Sequence, residues 1–131
     1  MAAAPREGYL VWTGRLINEE DVLITTAFVF TGTATARSAE ASPADLARLR
    51  DHLRSTGEFV FAQVHSHRGA AFHSPADCLH VFSLKRGFIS IVVPRCGRVN
   101  MQDLAACAVY ELDYQWRRWT APEVRQRIVI T

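Results

Sequence analysis

Apolar and polar positions alternate in the first part of the chain. Tyr9, Val11 and Thr13 fall on one side of a two-residue period and Leu10 and Trp12 on the other. That predicts a strand over Tyr9 to Thr13, bounded by Gly8 and Gly14. Val22 to Phe30, rich in β-branched and aromatic residues, predicts a second strand. The polar stretch Asn18 to Asp21 joins the two as an antiparallel hairpin with a solvated acidic tip. Thr31 to Ala41 is small and polar and reads as a loop. The period then lengthens. Leu46, Leu49 and Leu53 form one apolar stripe of a helix that Ser42 caps, Pro43 starts and Gly57 ends.

Phe59 to Val64 predicts a third strand running into His65, and Ser74 to about Leu84 a second helix. Gly87 to Val93 is almost wholly apolar, the pattern of a strand buried on both faces, and Pro94 closes it. Ala108 to Trp116 alternates, which predicts one strand with Tyr110, Leu112, Tyr114 and Trp116 on a shared face. Thr120-Ala-Pro-Glu123 has capping-box spacing and opens a short last helix. Hairpins rather than strict βαβ alternation predict the α+β class. No repeat or linker divides the chain, so residues 1–131 read as one domain.

Composition narrows the function classes. At 49% hydrophobic and 21% charged, the 131 residues are ordinary for a globular protein and exclude a disordered one. No apolar run is long enough for a transmembrane helix, and Met1 to Pro5 lacks the pattern of a signal peptide. Fifteen basic against thirteen acidic residues is too balanced for a nucleic-acid partner. Three cysteines without a CxxC pair suit free thiols in a reducing cytoplasm. The expectation is a cytoplasmic protein with neither a membrane nor a nucleic acid as partner.

The histidines carry the chemistry. His65-Ser-His67 ends a strand, and side chains at i and i+2 share a face, so two imidazoles stand side by side. The pair reads either as half of a metal site or as a polar strand end. Ser74-Pro-Ala-Asp77 follows it. The same tetrapeptide opens the first helix at Ser42-Pro-Ala-Asp45 with no histidine near, so there it is a helix start and nothing more. After the histidine pair, Asp77 offers a third ligand. Two His, one Asp and an open fourth position suit catalytic zinc. Ser74 is then a candidate oxyanion donor and Glu7 a candidate base. His73 reads as a solvent-facing loop residue, His52 and His80 as helix residues, and Cys78 as a small buried thiol. The arginines at 117, 118, 125 and 127 read as solvated surface.

These residues together resemble the JAMM metalloproteases, also called JAB or MPN-plus domains. Their pattern is a Glu, then His-Ser/Thr-His, then Ser-x-x-Asp. Glu7-Gly-Tyr-Leu-Val-Trp-Thr-Gly14 has the register of the family's first element, and His65-Ser-His67 and Ser74-Pro-Ala-Asp77 match the others. Six residues separate His67 from Ser74 where the family usually has seven, Arg68 stands where a Pro is common, and six residues precede Glu7. The resemblance implies an MPN/JAB-like (cytidine-deaminase-like) sheet flanked by helices. It implies Zn²⁺ on His65, His67 and Asp77, with Glu7 as base and Ser74 steadying the oxyanion. It also implies an isopeptidase or peptidase that cuts after the C-terminus of a ubiquitin-like protein or its conjugate. Bacterial members often stand beside activating and conjugating enzymes, including in antiviral-defence systems. A non-catalytic MPN scaffold, or a hydrolase of a small amide or sulfur-carrier precursor, are the alternatives. With so little chain before Glu7, a second copy or another partner is expected to cover the N-terminal face of the sheet.

Overall fold

The structure, a computed structural model, describes residues 9–30, 42–66, 83, 85–94 and 103–130. Six strands form one mixed sheet in the order β2-β1-β3-β4-β5-β6. They are β1 (Tyr9–Leu16), β2 (Val22–Val29), β3 (Phe59–Ser66), β4 (Ile89–Val93), β5 (Ala108–Asp113) and β6 (Gln115–Arg118). Helix α1 is Pro43–Thr56, helix α2 is Ala121–Arg127, and Leu104–Ala106 make a 3₁₀ turn. All neighbouring strands are antiparallel except β3 and β4, which run parallel.

β1 runs through Gly14 instead of stopping at it. A Cβ at that position would collide with the Leu23 carbonyl oxygen, so the glycine is what lets β2 lie against β1 there. Beside it the register shifts: Thr13 faces Thr26 and Gly14 faces Ile24, leaving Thr25 as an extra residue in β2.

α1 follows its sequence signals closely. Ser42 Oγ accepts from the Asp45 N–H at 3.1 Å, and Asp45 Oδ2 accepts from the Ser42 N–H at 2.9 Å, a complete capping box. Asp45 is fully buried, and Arg48 donates to its Oδ1 at 2.7 Å. Gly57 ends the helix with φ at 72°. The leucine stripe is only partly used: Leu49 is 3% exposed but Leu46 is 45% exposed.

The sheet buries two apolar layers. Val11, Phe30 and Leu49 form one, with Tyr9, Phe28, Leu53 and Val60 against it, so α1 covers that face beside β1 and β2. The opposite face holds the larger layer, including Ala62, Val64, Ile89, Ile91, Val109, Leu104, Trp119 and Val124. There the 3₁₀ turn and α2 supply the cover. All five residues of β4 are buried, which explains its unbroken apolar run.

One expected strand is two. Ala108 to Trp116 does not continue as a single strand: Tyr114 has φ at 62° and the chain reverses, pairing Asp113 with Gln115. Alternation persists across so tight a turn, which is why the pattern hid it. The expected loop at residues 31–41 and nearly all of the expected helix at residues 74–84 lie outside the described residues. No described helix is long and apolar enough to cross a membrane.

Candidate functional site

Of the five sequence-predicted site residues, His65 is described; Glu7, His67, Ser74 and Asp77 lie outside the described residues. His65 is the penultimate residue of β3. Tyr9 of β1 lies directly opposite it on one side and Val92 of β4 on the other. By the two-residue period it shares its face with Gln63 and, through these pairings, with Val11, Ser90 and Val92. Beneath it, Gln63 Nε2 donates to Ser90 Oγ at 3.1 Å, a polar pair buried in the middle of the sheet.

His65 is half-buried, and its Nε2 is buried. Tyr9 is half-buried beside it, its ring 5.1 Å from that of Phe30, and burial pushes its phenol well above the ordinary tyrosine range. His65 therefore sits beside the Tyr9–Phe30 ring pair and above the buried Gln63–Ser90 pair.

Among the described residues, no group of three His, Cys, Asp or Glu side chains could hold a metal ion. Two imidazoles and a carboxylate nevertheless suit zinc by their chemistry. The described member of that set, His65, is a half-buried imidazole at a strand end, with its Nε2 buried.

The structure also assembles a cluster that sequence reasoning missed. Thr13 is fully buried, and its hydroxyl donates to Glu58 Oε1 at 2.8 Å. Thr25 donates to Glu58 Oε2. His52 Nε2 lies 3.1 Å from both Thr13 Oγ1 and Glu58 Oε1. The Thr13 proton is already given to Glu58, so its oxygen can only accept from the ring, and His52 Nε2 must carry a hydrogen. The hydroxyls of Thr25 and Thr13, and then His52, hold the Glu58 carboxyl below the usual carboxylate range, outweighing its desolvation. This cluster ties α1 to β1, β2 and the start of β3. The only local signal was the six-residue spacing of His52 and Glu58 about the Gly57 cap. The threonines join through strand register, which no local pattern reveals.

The arginines near the C-terminus are exposed, as expected, and three of them make surface ion pairs. Arg117 pairs with Glu111 and Glu123, Arg127 with Glu111, and Arg125 with Asp103. Cys107 is buried, and desolvation with the nearby Asp103 charge raises its thiol, which makes it a structural cysteine.

No protein-family model matches the chain. Over 95% of its length it is 30% identical to the probable metalloprotease y4jG of Sinorhizobium fredii, covering 80% of that protein. The chain belongs to this metalloprotease family. It is also similar to the solution structure of protein DSY2949 from Desulfitobacterium hafniense, with a TM-score of 0.59 over 88% of this chain and 77% of the other. At 14% identity that likeness shows the fold alone.

Proposed function

We propose that the protein is a zinc peptidase of JAMM type that cleaves after the C-terminus of a ubiquitin-like protein. The observation that carries the peptidase reading is the relationship to a probable metalloprotease along 95% of the chain. The JAMM assignment rests on the order Glu7, His65-Ser-His67 and Ser74-x-x-Asp77. The pairing of Tyr9 with His65 supports it, since β1 enters the sheet beside the imidazole two residues after Glu7.

In this reading His65, His67 and Asp77 hold the metal. Zinc, when bound, supplies a Lewis acid that polarises the scissile carbonyl and acidifies water. The Glu7 carboxylate accepts the proton of the attacking water and passes it to the leaving amine. The Ser74 hydroxyl donates a hydrogen bond to the oxyanion. The buried surroundings of His65 keep its ring in place and water away from its inner edge.

The test has two parts. Purified protein should carry about one zinc ion per chain, as a three-ligand site requires. It should also release the extension from a ubiquitin-like protein fused at its C-terminus, and lose that activity to a chelator. Protein that binds zinc without cleaving the fusion is a peptidase with another substrate or a scaffold. Protein that binds no zinc refutes the assignment outright.

A further inference from the structure

Two polar side chains lie in the middle of the sheet among apolar ones. Gln63 on β3 is 1% exposed and Ser90 on β4 is fully buried. They are direct partners in the parallel register, and Gln63 Nε2 donates to Ser90 Oγ at 3.1 Å. The residues beside them in the two strands, Ala62, Val64, Ile89 and Ile91, are buried and apolar. Taking an amide and a hydroxyl out of water carries a free-energy cost that one neutral hydrogen bond offsets only in part. A leucine facing an alanine would fill similar space with nothing to desolvate, and such a paired replacement is nearly neutral or stabilising. The packing of the sheet alone does not account for the pair.

Its position does. Side chains two apart on a strand share a face at a spacing of about 7 Å, so Gln63 is the next side chain inward from His65 on β3. Cross-strand pairing sets Tyr9 and Val92 on either side of the imidazole. His65 as a whole is half-buried while its Nε2 is buried, so that nitrogen faces protein and not solvent. Val92 has no polar side-chain atom, whereas Gln63 has an amide whose sense is set. With Nε2 given to Ser90, the other branch of the amide is the acceptor Oε1. An imidazole that binds a metal does so through one nitrogen and hands the N–H of the other to an acceptor, which fixes the ring.

We infer that Gln63 is a positioning residue for the metal site: Ser90 sets the Gln63 amide, and the amide sets the His65 imidazole. The inference rests on the zinc reading above, in which His65 is a ligand. The pair acts through His65, neither as a ligand nor as a catalytic group.

The test measures zinc affinity of the whole chain by competition with a chromophoric chelator, beside thermal unfolding of the metal-free protein. The double variant Gln63→Leu/Ser90→Ala should melt close to the wild type and bind zinc about 10- to 100-fold more weakly, the usual effect of removing an outer partner of a ligand. Ser90→Ala alone should weaken zinc in the same direction, and Ser90→Thr, which keeps the hydroxyl, should restore it. Thr13→Val, equally buried but in the His52 cluster, should lower the melting temperature and leave zinc affinity unchanged. One measurement needs no variant: the Gln63 side-chain amide signals in a nitrogen–proton NMR spectrum should move when zinc is added to the wild type. Folded Gln63 and Ser90 variants with wild-type zinc affinity, a Thr13→Val protein that loses zinc to the same extent, or amide signals that zinc leaves in place would each overturn the inference while the zinc reading stands. A wild type that binds no zinc overturns the zinc reading and this inference with it.

Discussion

His65 meets β1 at its first residue, Tyr9, and His52 meets it in the middle, at Thr13, and the contrast is between a proposed ligand and a structural residue. His52 projects from α1 onto Thr13 and Glu58, and its Nε2 is committed to both. It holds a helix on a sheet. His65 stands where β1 begins and β3 ends, beside Tyr9, at the point from which the remaining proposed site residues extend along the chain. One imidazole is tied into a hydrogen-bond network between helix and sheet, and the other is the one proposed as a zinc ligand. The lesson is that a histidine's role follows from what the strand register delivers to it, not from its burial, since both are half-buried.

Five measurements sharpen or break this contrast. His65→Ala should reduce bound zinc to a small fraction of one ion per chain, while His52→Ala should keep the metal and lower the melting temperature. Metal analysis and calorimetry on the two variants would show the reverse if the roles were misassigned. Glu7→Ala should bind zinc as the wild type does but slow fusion cleavage by about 10² to 10⁴, the usual cost of losing a general base. Cleavage near the wild-type rate would remove Glu7 from the mechanism.

In the His52 cluster, Thr13→Val keeps the shape but removes the buried hydroxyl's hydrogen bonds to the Glu58 carboxylate and His52, and should cost about 1–3 kcal/mol in denaturant unfolding. The pH dependence follows from the same cluster. The folded-state Glu58 carboxyl sits below its ordinary range, so it contributes stability that is fully present above that range. The contribution fades as pH falls through the lowered folded-state value. Wild type should therefore lose its advantage over Glu58→Gln on acidification, and a gap that stays constant with pH would place the stabilisation elsewhere. Smallest is Tyr114→Gly at the β5–β6 turn, also at the Glu58 end of the sheet. It relieves a left-handed backbone but gives up the Arg86 guanidinium 4.9 Å from the ring, so the net change should stay within about 1 kcal/mol.

Local signals were legible where the physics is local. Ser42, Pro43 and Gly57 announced α1, and Thr120 announced α2, because capping is settled within four residues of chain. β4 was legible because burial on both faces leaves an unbroken apolar run. The reversal at Tyr114 was not, because a tyrosine in the left-handed region carries no turn signature. Leu46 showed that a helical stripe reports what could be buried, while the neighbouring surface decides what is. For the site, the residue types named a chemistry and His65 fell at a strand end as read. The Thr13–His52–Glu58–Thr25 cluster needed α1, β1, β2 and the residue leading into β3 together before it existed at all.

The parallel pairing of β3 with β4 has a consequence for the order in which the molecule assembles. The β1–β2 hairpin closes over a short turn and can form within microseconds. β4 can join β3 only after the chain has crossed back over residues 67–88, a loop-closure cost met before any contact rewards it. The β4 amides should therefore gain protection after those of the β1–β2 hairpin in a refolding experiment with pulsed hydrogen exchange. The segment that brings Ser74 and Asp77 is part of that same crossover, so completion of the proposed site is tied to a long-range pairing and not to the fast hairpin.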